Sequence, residues 1–195
     1  PVVGPTDTNG AANSVAENAA NGTLVGITAQ ASDADAGTTI SYSLMNDAGG
    51  RFAIDATTGV VTVANGVLLD YETATSHNIT VLATSTDGSS NSQTFTIGVS
   101  NVNDNPVVGP TDANGAANTV AENAANGTLV GITAQASDAD PGTTISYSLT
   151  DNAGGRLAIV SSTGVATLTK GTIMDYEAAT SAQLPVLAAS TDSSR

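Results

Sequence analysis

The chain repeats itself at a distance of 105 residues. The segment PVVGPTDTNGAANSVAENAANGTLVGITAQASDADAGTTISYSL, which begins at Pro1, returns from Pro106 as PVVGPTDANGAANTVAENAANGTLVGITAQASDADPGTTISYSL. Every landmark keeps the same offset: Glu17 to Glu122, Asp33 to Asp138, Asp70 to Asp175 and Asp87 to Asp192. A period of 105 residues is too long for a solenoid coil or a propeller blade and matches one small domain, so the sequence predicts an array of independent beads. The expected domains are 1–105 and 106–195, the second ending early because Arg195 corresponds to Ser90. The counterpart of the last strand of the first copy, Thr94 to Val102, is therefore not in the sequence, and the expectation is either a cut fragment or a strand supplied by another chain.

Inside each copy the apolar residues alternate over short runs, the period of strands with one buried face. In the first copy these are Val25, Ile27 and Ala29; Ile40, Tyr42 and Leu44; Phe52 and Ile54; Ile79, Val81 and Ala83; and Phe95, Ile97 and Val99. Between them stand turn-forming clusters at Asn46 to Gly50, Thr57 to Gly59 and Asp87 to Asn91. The spacing predicts an all-β sandwich, with no stretch of helical period. Pro185 occupies the place of Thr80, inside a predicted strand, and is expected at an open edge where no ladder donor is needed.

Charge narrows the partners. Four basic residues stand against eighteen acidic ones, a net charge of -14 that repels nucleic acid and anionic lipid surfaces and attracts cations. No apolar run is long enough to cross a bilayer as a helix. With no cysteine, extra stabilisation of so small a domain has to come from packing or from a metal.

The acidic residues gather in short motifs: Ala16-Glu17-Asn18, Asp33-Ala34-Asp35, Asp70-Tyr71-Glu72, Thr86-Asp87 and Asn101-Val102-Asn103-Asp104-Asn105-Pro106. If D-x-D and D-x-E are extended, both carboxylates point to one side and can grip a cation as a pair. Carboxylate, amide and carbonyl oxygens with no His or Cys beside them form a hard ligand set that suits Ca²⁺ better than zinc or copper. The single His77 is replaced by Ala182 in the second copy, which leaves a catalytic triad without a base and argues against an enzyme. Asp7-Thr8-Asn9-Gly10 reads as a turn, and Asn21-Gly22-Thr23 and Asn78-Ile79-Thr80 fit the N-glycosylation pattern.

In this order, VAEN, DAD, LLDYE, ATSTD and NVNDNP resemble the motifs of the cadherin repeat, complete in the first copy and present up to Asp192 in the second. The resemblance implies two tandem Greek-key, seven-stranded β-sandwiches of the cadherin or immunoglobulin-like type, the second without its last strand. It also implies up to three Ca²⁺ at the boundary between repeats. The implied ligands are Glu17, Asp70 and Glu72 from the first copy; Asn101, Val102, Asn103, Asp104 and Asn105 from the linker; and Asp138, Asp140 and Asp192 from the second copy. Where the family has Asp this chain has Asn101, which takes a formal charge from the middle ion. Asp33, Asp35 and Asp87 at one end, and Glu122, Asp175 and Glu177 at the other, are expected to form incomplete sites. The low Lys content and near-identical copies are similar to the arrays of large bacterial surface adhesins, which implies an extracellular, calcium-stiffened stalk whose partners are neighbouring repeats, like molecules or surface polysaccharide. The alternative is a carbohydrate-binding module, which would need exposed aromatic platforms from a chain that is only 3% aromatic.

Overall fold

The structure is a computed structural model that describes residues 1–171 and 174–191. The chain divides into two compact units, Pro1–Val102 and Asn103–Arg195. Unit 1 contains β1 (Val2–Asp7), β2 (Ser14–Ala16), β3 (Leu24–Asp33), β4 (Ile40–Asn46), β5 (Phe52–Ile54), β6 (Val60–Val63), β7 (Ser76–Ser85) and β8 (Ser90–Ser100), with a 3-10 turn at Gly66–Leu68. Unit 2 contains β9 (Val108–Asp112), β10 (Leu129–Ser137), β11 (Ile145–Leu149), β12 (Leu157–Ile159), β13 (Val165–Leu168) and β14 (Val186–Ser190).

The strands of unit 1 form two four-stranded sheets, ordered β1-β3-β6-β5 and β2-β8-β7-β4. The first strand is split: β1 pairs antiparallel with β3, and β2 then crosses to the other sheet and runs parallel to β8, with Val15 opposite Val99. All five predicted alternations are strands, and their inward residues make one cluster that includes Val25, Ile27, Phe52, Ile79, Val81 and Ile97. Three strands escape the alternation pattern. β1 contains a glycine and a proline, β2 has only three residues, and β6 has four, of which Val61 and Val63 point inward.

Unit 2 repeats the first sheet as β12-β13-β10-β9, while β11 and β14 pair in a second. Thr119–Ala121, the counterpart of β2, is not a strand, because the partner positions of Gly98–Ser100 fall beyond Arg195. Pro185 does not lie within a strand: β14 begins one residue later, and the Pro185 carbonyl accepts from the Thr150 N–H. The corresponding β7 starts five residues earlier, at the position of Ser181. A proline nitrogen cannot donate, so the ladder starts only after it. The described core of this unit falls into two clusters, one around Val130, Leu157 and Leu168 and one around Tyr147 and Ala188.

Candidate metal centre

Glu17 is the buried member of one of the two acidic groups of unit 1. It follows β2 directly, and its N–H donates to the Ser100 carbonyl, extending the parallel ladder by one step. Its side chain is 2% exposed. Oε2 accepts from the Tyr71 N–H at 2.6 Å and Oε1 from the Val102 N–H at 2.7 Å. A buried carboxylate is stable only when its oxygens find donors, and here each has a main-chain one that leaves further lone pairs for a cation. Oxygens of Glu17, Asp70 and Glu72 lie within 4.8 Å of one another. Arg51 donates from Nε to the Leu68 carbonyl and from Nη1 to the Ala48 carbonyl.

Turns, not extended strands, bring these carboxylates together. Asp70-Tyr71-Glu72 lies in a turn whose Asp70 Oδ1 accepts from the Thr73 N–H at 2.9 Å, with the Thr73 hydroxyl on Oδ2. The Thr73 main-chain donor, with its hydroxyl behind it, holds the Asp70 carboxyl below its ordinary pKa. Asp33 closes β3, and the Asp35 N–H turns back onto its Oδ1. That main-chain bond, followed by the Ser89 hydroxyl, pulls the Asp33 pKa down, and the Ser89 N–H does the same for Asp87. Asp33, Asp35 and Asp87 form a second group within 4.8 Å.

In unit 2 the corresponding acids are held differently. Glu122, Asp175 and Glu177 again converge within 4.8 Å, but all three are exposed, and the Tyr176 N–H reaches Glu122 at 3.3 Å. Glu17 is sealed by Val102, and the position corresponding to Val102 is past Arg195. Asp140, by contrast, is 3% exposed where its counterpart Asp35 lies open. Its N–H donates to Asp138 Oδ1, and the Asn105 N–H donates to its Oδ2 at 3.0 Å. The Asn105 amide also donates to Asp104 Oδ1 at 2.8 Å, so one linker residue ties Asp104 and Asp140 together.

Residues 12–100 match the family model described as Cadherin domain. The first repeat belongs to the cadherin domain family. The chain is 39% identical over 157 residues to mouse protocadherin Fat 4, a match covering 76% of this chain and 3% of that protein. Among solved structures it is similar to mouse cadherin-23 EC22-24, with a TM-score of 0.67, 30% identity and coverage of 86% of this chain and 53% of that one. It is also similar to protocadherin gamma B2 extracellular cadherin domains 3-6, with a TM-score of 0.67, 26% identity and coverage of 97% and 48%. The chain spans between 3% and 17% of the curated relatives' own lengths.

Of the ligands implied by the sequence, this cadherin fold brings together Glu17, Asp70 and Glu72 in unit 1, and Asp104, Asn105, Asp138 and Asp140 in unit 2. Asn101, Val102 and Asn103 are exposed where β8 runs into the linker, and Asp192 lies outside the described residues. The donor set is oxygen throughout. His77 stands apart with its ring 6.3 Å from that of Phe52. The sequence did not reveal Thr73 and Ser89 as donors that fix the acids. A hydroxyl three residues after Asp70 was the available signal, and Ala178 in the second copy lacks it. Tyr71 packs against the core, whereas Tyr176 is 65% exposed. Tyr42, Phe52 and Tyr147 are buried, which leaves no row of aromatics for a sugar to stack on among the described residues.

Proposed function

We propose that the chain is a calcium-binding structural segment of an extracellular adhesin, its repeats held stiff by Ca²⁺ at the inter-repeat seam. The observation that carries this reading is Glu17. A carboxylate 2% exposed, with each oxygen accepting from one main-chain donor and two further acids within 4.8 Å, is arranged for a cation. Carboxylates and carbonyls at this density suit Ca²⁺, which takes six to eight oxygens.

Glu17, Asp70 and Glu72 would supply the ligands of the first repeat. The linker would add Asp104, Asn103, the Asn101 side chain and the Val102 and Asn105 carbonyls, and the second repeat Asp138, Asp140 and Asp192. Bound there, up to three Ca²⁺ neutralise acids that otherwise repel one another, so the apo seam hinges and the loaded seam locks. Ions that bind only the folded seam stabilise it by about 3 kcal/mol at a hundredfold excess over their Kd. The role is mechanical, in keeping with a domain family that is not a family of enzymes. Near-identical copies and only four basic residues fit a long bacterial surface array, while the relatives named above are animal cadherins. The proposed seam chemistry is the same in both settings.

Calorimetric titration of the chain with Ca²⁺, beside Asp104→Ala, tests the reading, together with small-angle scattering with and without chelator. Saturable binding that Asp104→Ala weakens, and a longer particle with Ca²⁺, support it. A melting temperature and a hydrodynamic length that both ignore chelator reject it.

A further inference from the structure

The chain contains five Asn-Gly pairs, at Asn9, Asn21, Asn65, Asn114 and Asn126. The fold treats them in two ways. The Gly22 N–H donates to the Val63 carbonyl at 2.7 Å, the Gly127 N–H to the Leu168 carbonyl at 2.8 Å, and the Gly66 N–H to Asn21 Oδ1 at 3.0 Å. Gly66 is also packed so closely that an added Cβ would sit 1.7 Å from the Ala19 carbonyl oxygen. Gly10 and Gly115 differ in their N–H groups, which among the described residues have no hydrogen-bond acceptor; like Gly22 and Gly127 they are exposed, with nothing within 4 Å of a would-be Cβ.

The asparagine is set up as an electrophile at these two places, as it also is at Asn21 and Asn126, whose Oδ1 atoms accept from the Gly66 and Gly171 N–H groups, so the state of the glycine nitrogen is what separates the sites. The Ala11 N–H donates to Asn9 Oδ1 at 2.9 Å, and the Ala116 N–H donates to Asn114 Oδ1 at 2.9 Å. A donor fixed on that oxygen stabilises the negative charge that appears there when a nucleophile adds to Cγ, the logic of an oxyanion hole. The neighbouring nucleophile is the main-chain nitrogen of the glycine, which has no side chain to hinder closure of a five-membered ring.

We infer that Asn9 and Asn114 are sites of spontaneous deamidation in the folded protein, and that Asn21, Asn65 and Asn126 are protected by the fold. The Gly10 nitrogen loses its proton to solvent and bonds to Asn9 Cγ. The Cγ–Nδ2 bond breaks, and the amide nitrogen leaves as ammonia. Water then opens the succinimide at either carbonyl, giving aspartate or isoaspartate with no change in oxidation state. Each event adds one negative charge two residues from an aspartate: Asp7, whose Oδ1 already takes the Asn9 and Thr28 N–H groups, or Asp112, whose Oδ1 takes those of Asn114 and Thr133. In unit 1 the isoaspartate product lengthens the main chain where it crosses from β1 to β2, between the two sheets.

The test is to incubate the whole chain at mildly alkaline pH and follow each asparagine by peptide mass spectrometry and isoaspartyl labelling. A protected glycine must first leave its acceptor, so Asn9 and Asn114 should convert at least about fivefold faster than the other three. In denaturant the five rates should converge, because the protection belongs to the fold. Gly10→Ala with Gly115→Ala, which the open surroundings accommodate, should slow those two sites and leave the melting temperature unchanged. Equal rates in the folded chain would overturn the inference. So would faster conversion at Asn21 or Asn126, or no conversion at Asn9 and Asn114 over a time in which the denatured chain reacts.

Discussion

At the scale of single residues, Glu17 and His77 carry opposite lessons about burial. Glu17 is a buried acid with both oxygens satisfied by main-chain donors. Glu17→Gln turns an acceptor into an NH₂ group facing an N–H, so the apo protein should lose about 1–3 kcal/mol in denaturant unfolding. Glu72→Gln, at an exposed position, should stay within about 0.5 kcal/mol without calcium. Both should weaken Ca²⁺ binding in a calorimetric titration, so the pair separates support of the fold from support of the ion. His77 is a half-buried base whose Nε2 has no hydrogen-bond partner among the described residues. Burial, followed by the charge of Arg51, lowers its pKa from the ordinary 6.5. The unfolded chain then takes up its proton at higher pH than the folded one, so stability is lost as pH falls through 6.5 toward the folded value. His77→Ala, the choice made by the second copy at Ala182, should flatten that part of the stability curve of unit 1. A variant with the wild-type acid slope would show that the histidine is not responsible.

At the scale of elements, the strands legible in the sequence were those long enough to alternate. β3, β4, β7 and β8 each contain several in-out steps, and the three residues of β5 were marked by Phe52 and Ile54. β1 and β2 were hidden because a split strand that changes sheet has too few residues on either side to show a period. The acids were legible as D-x-D and D-x-E, but the assumption of extended backbone was wrong. Asparagine and aspartate side chains bond their own main chain two or three residues on, and this local turn competes successfully with the strand. The crowding of strands against loops gives a further test. Gly22 and Gly26 both have positive φ, +89° and +81°, but a Cβ on Gly22 would meet open space, whereas one on Gly26 would lie 2.1 Å from the Ala12 carbonyl oxygen. Gly22→Ala should cost about 1–2 kcal/mol, the strain of the left-handed region. Gly26→Ala adds the collision at the β1–β2 crossing and should cost clearly more by the same denaturant measurement.

At the scale of the whole chain, two copies that begin almost identically have unequal cores among the described residues. Unit 1 gathers fifteen buried apolar residues into one cluster, while the described residues of unit 2 form clusters of four and three. Ile27 and Ile79 are 1% and 0% exposed, but their counterparts Ile132 and Leu184 are half-buried and line a groove of about 390 Å³. In unit 1 the equivalent face is covered by β8, whose Ile97 and Val99 are buried against it. Less apolar burial means less stability, since each fully buried aliphatic side chain contributes about 1.5–3 kcal/mol. Calorimetry should therefore resolve two transitions, the lower one from unit 2. Leu157→Ala should lower the first and Ile27→Ala the second, each by about 2–5 kcal/mol. Appending the sequence of Asn91 to Val102 after Arg195 gives the groove the strand that its twin already has. The lower transition should then move up toward the upper one, by about 4–8 °C for each kcal/mol recovered in a domain of this size. A first transition that responds to Ile27→Ala, or one that ignores the appended strand, would show that the open groove does not set the stability of the second repeat.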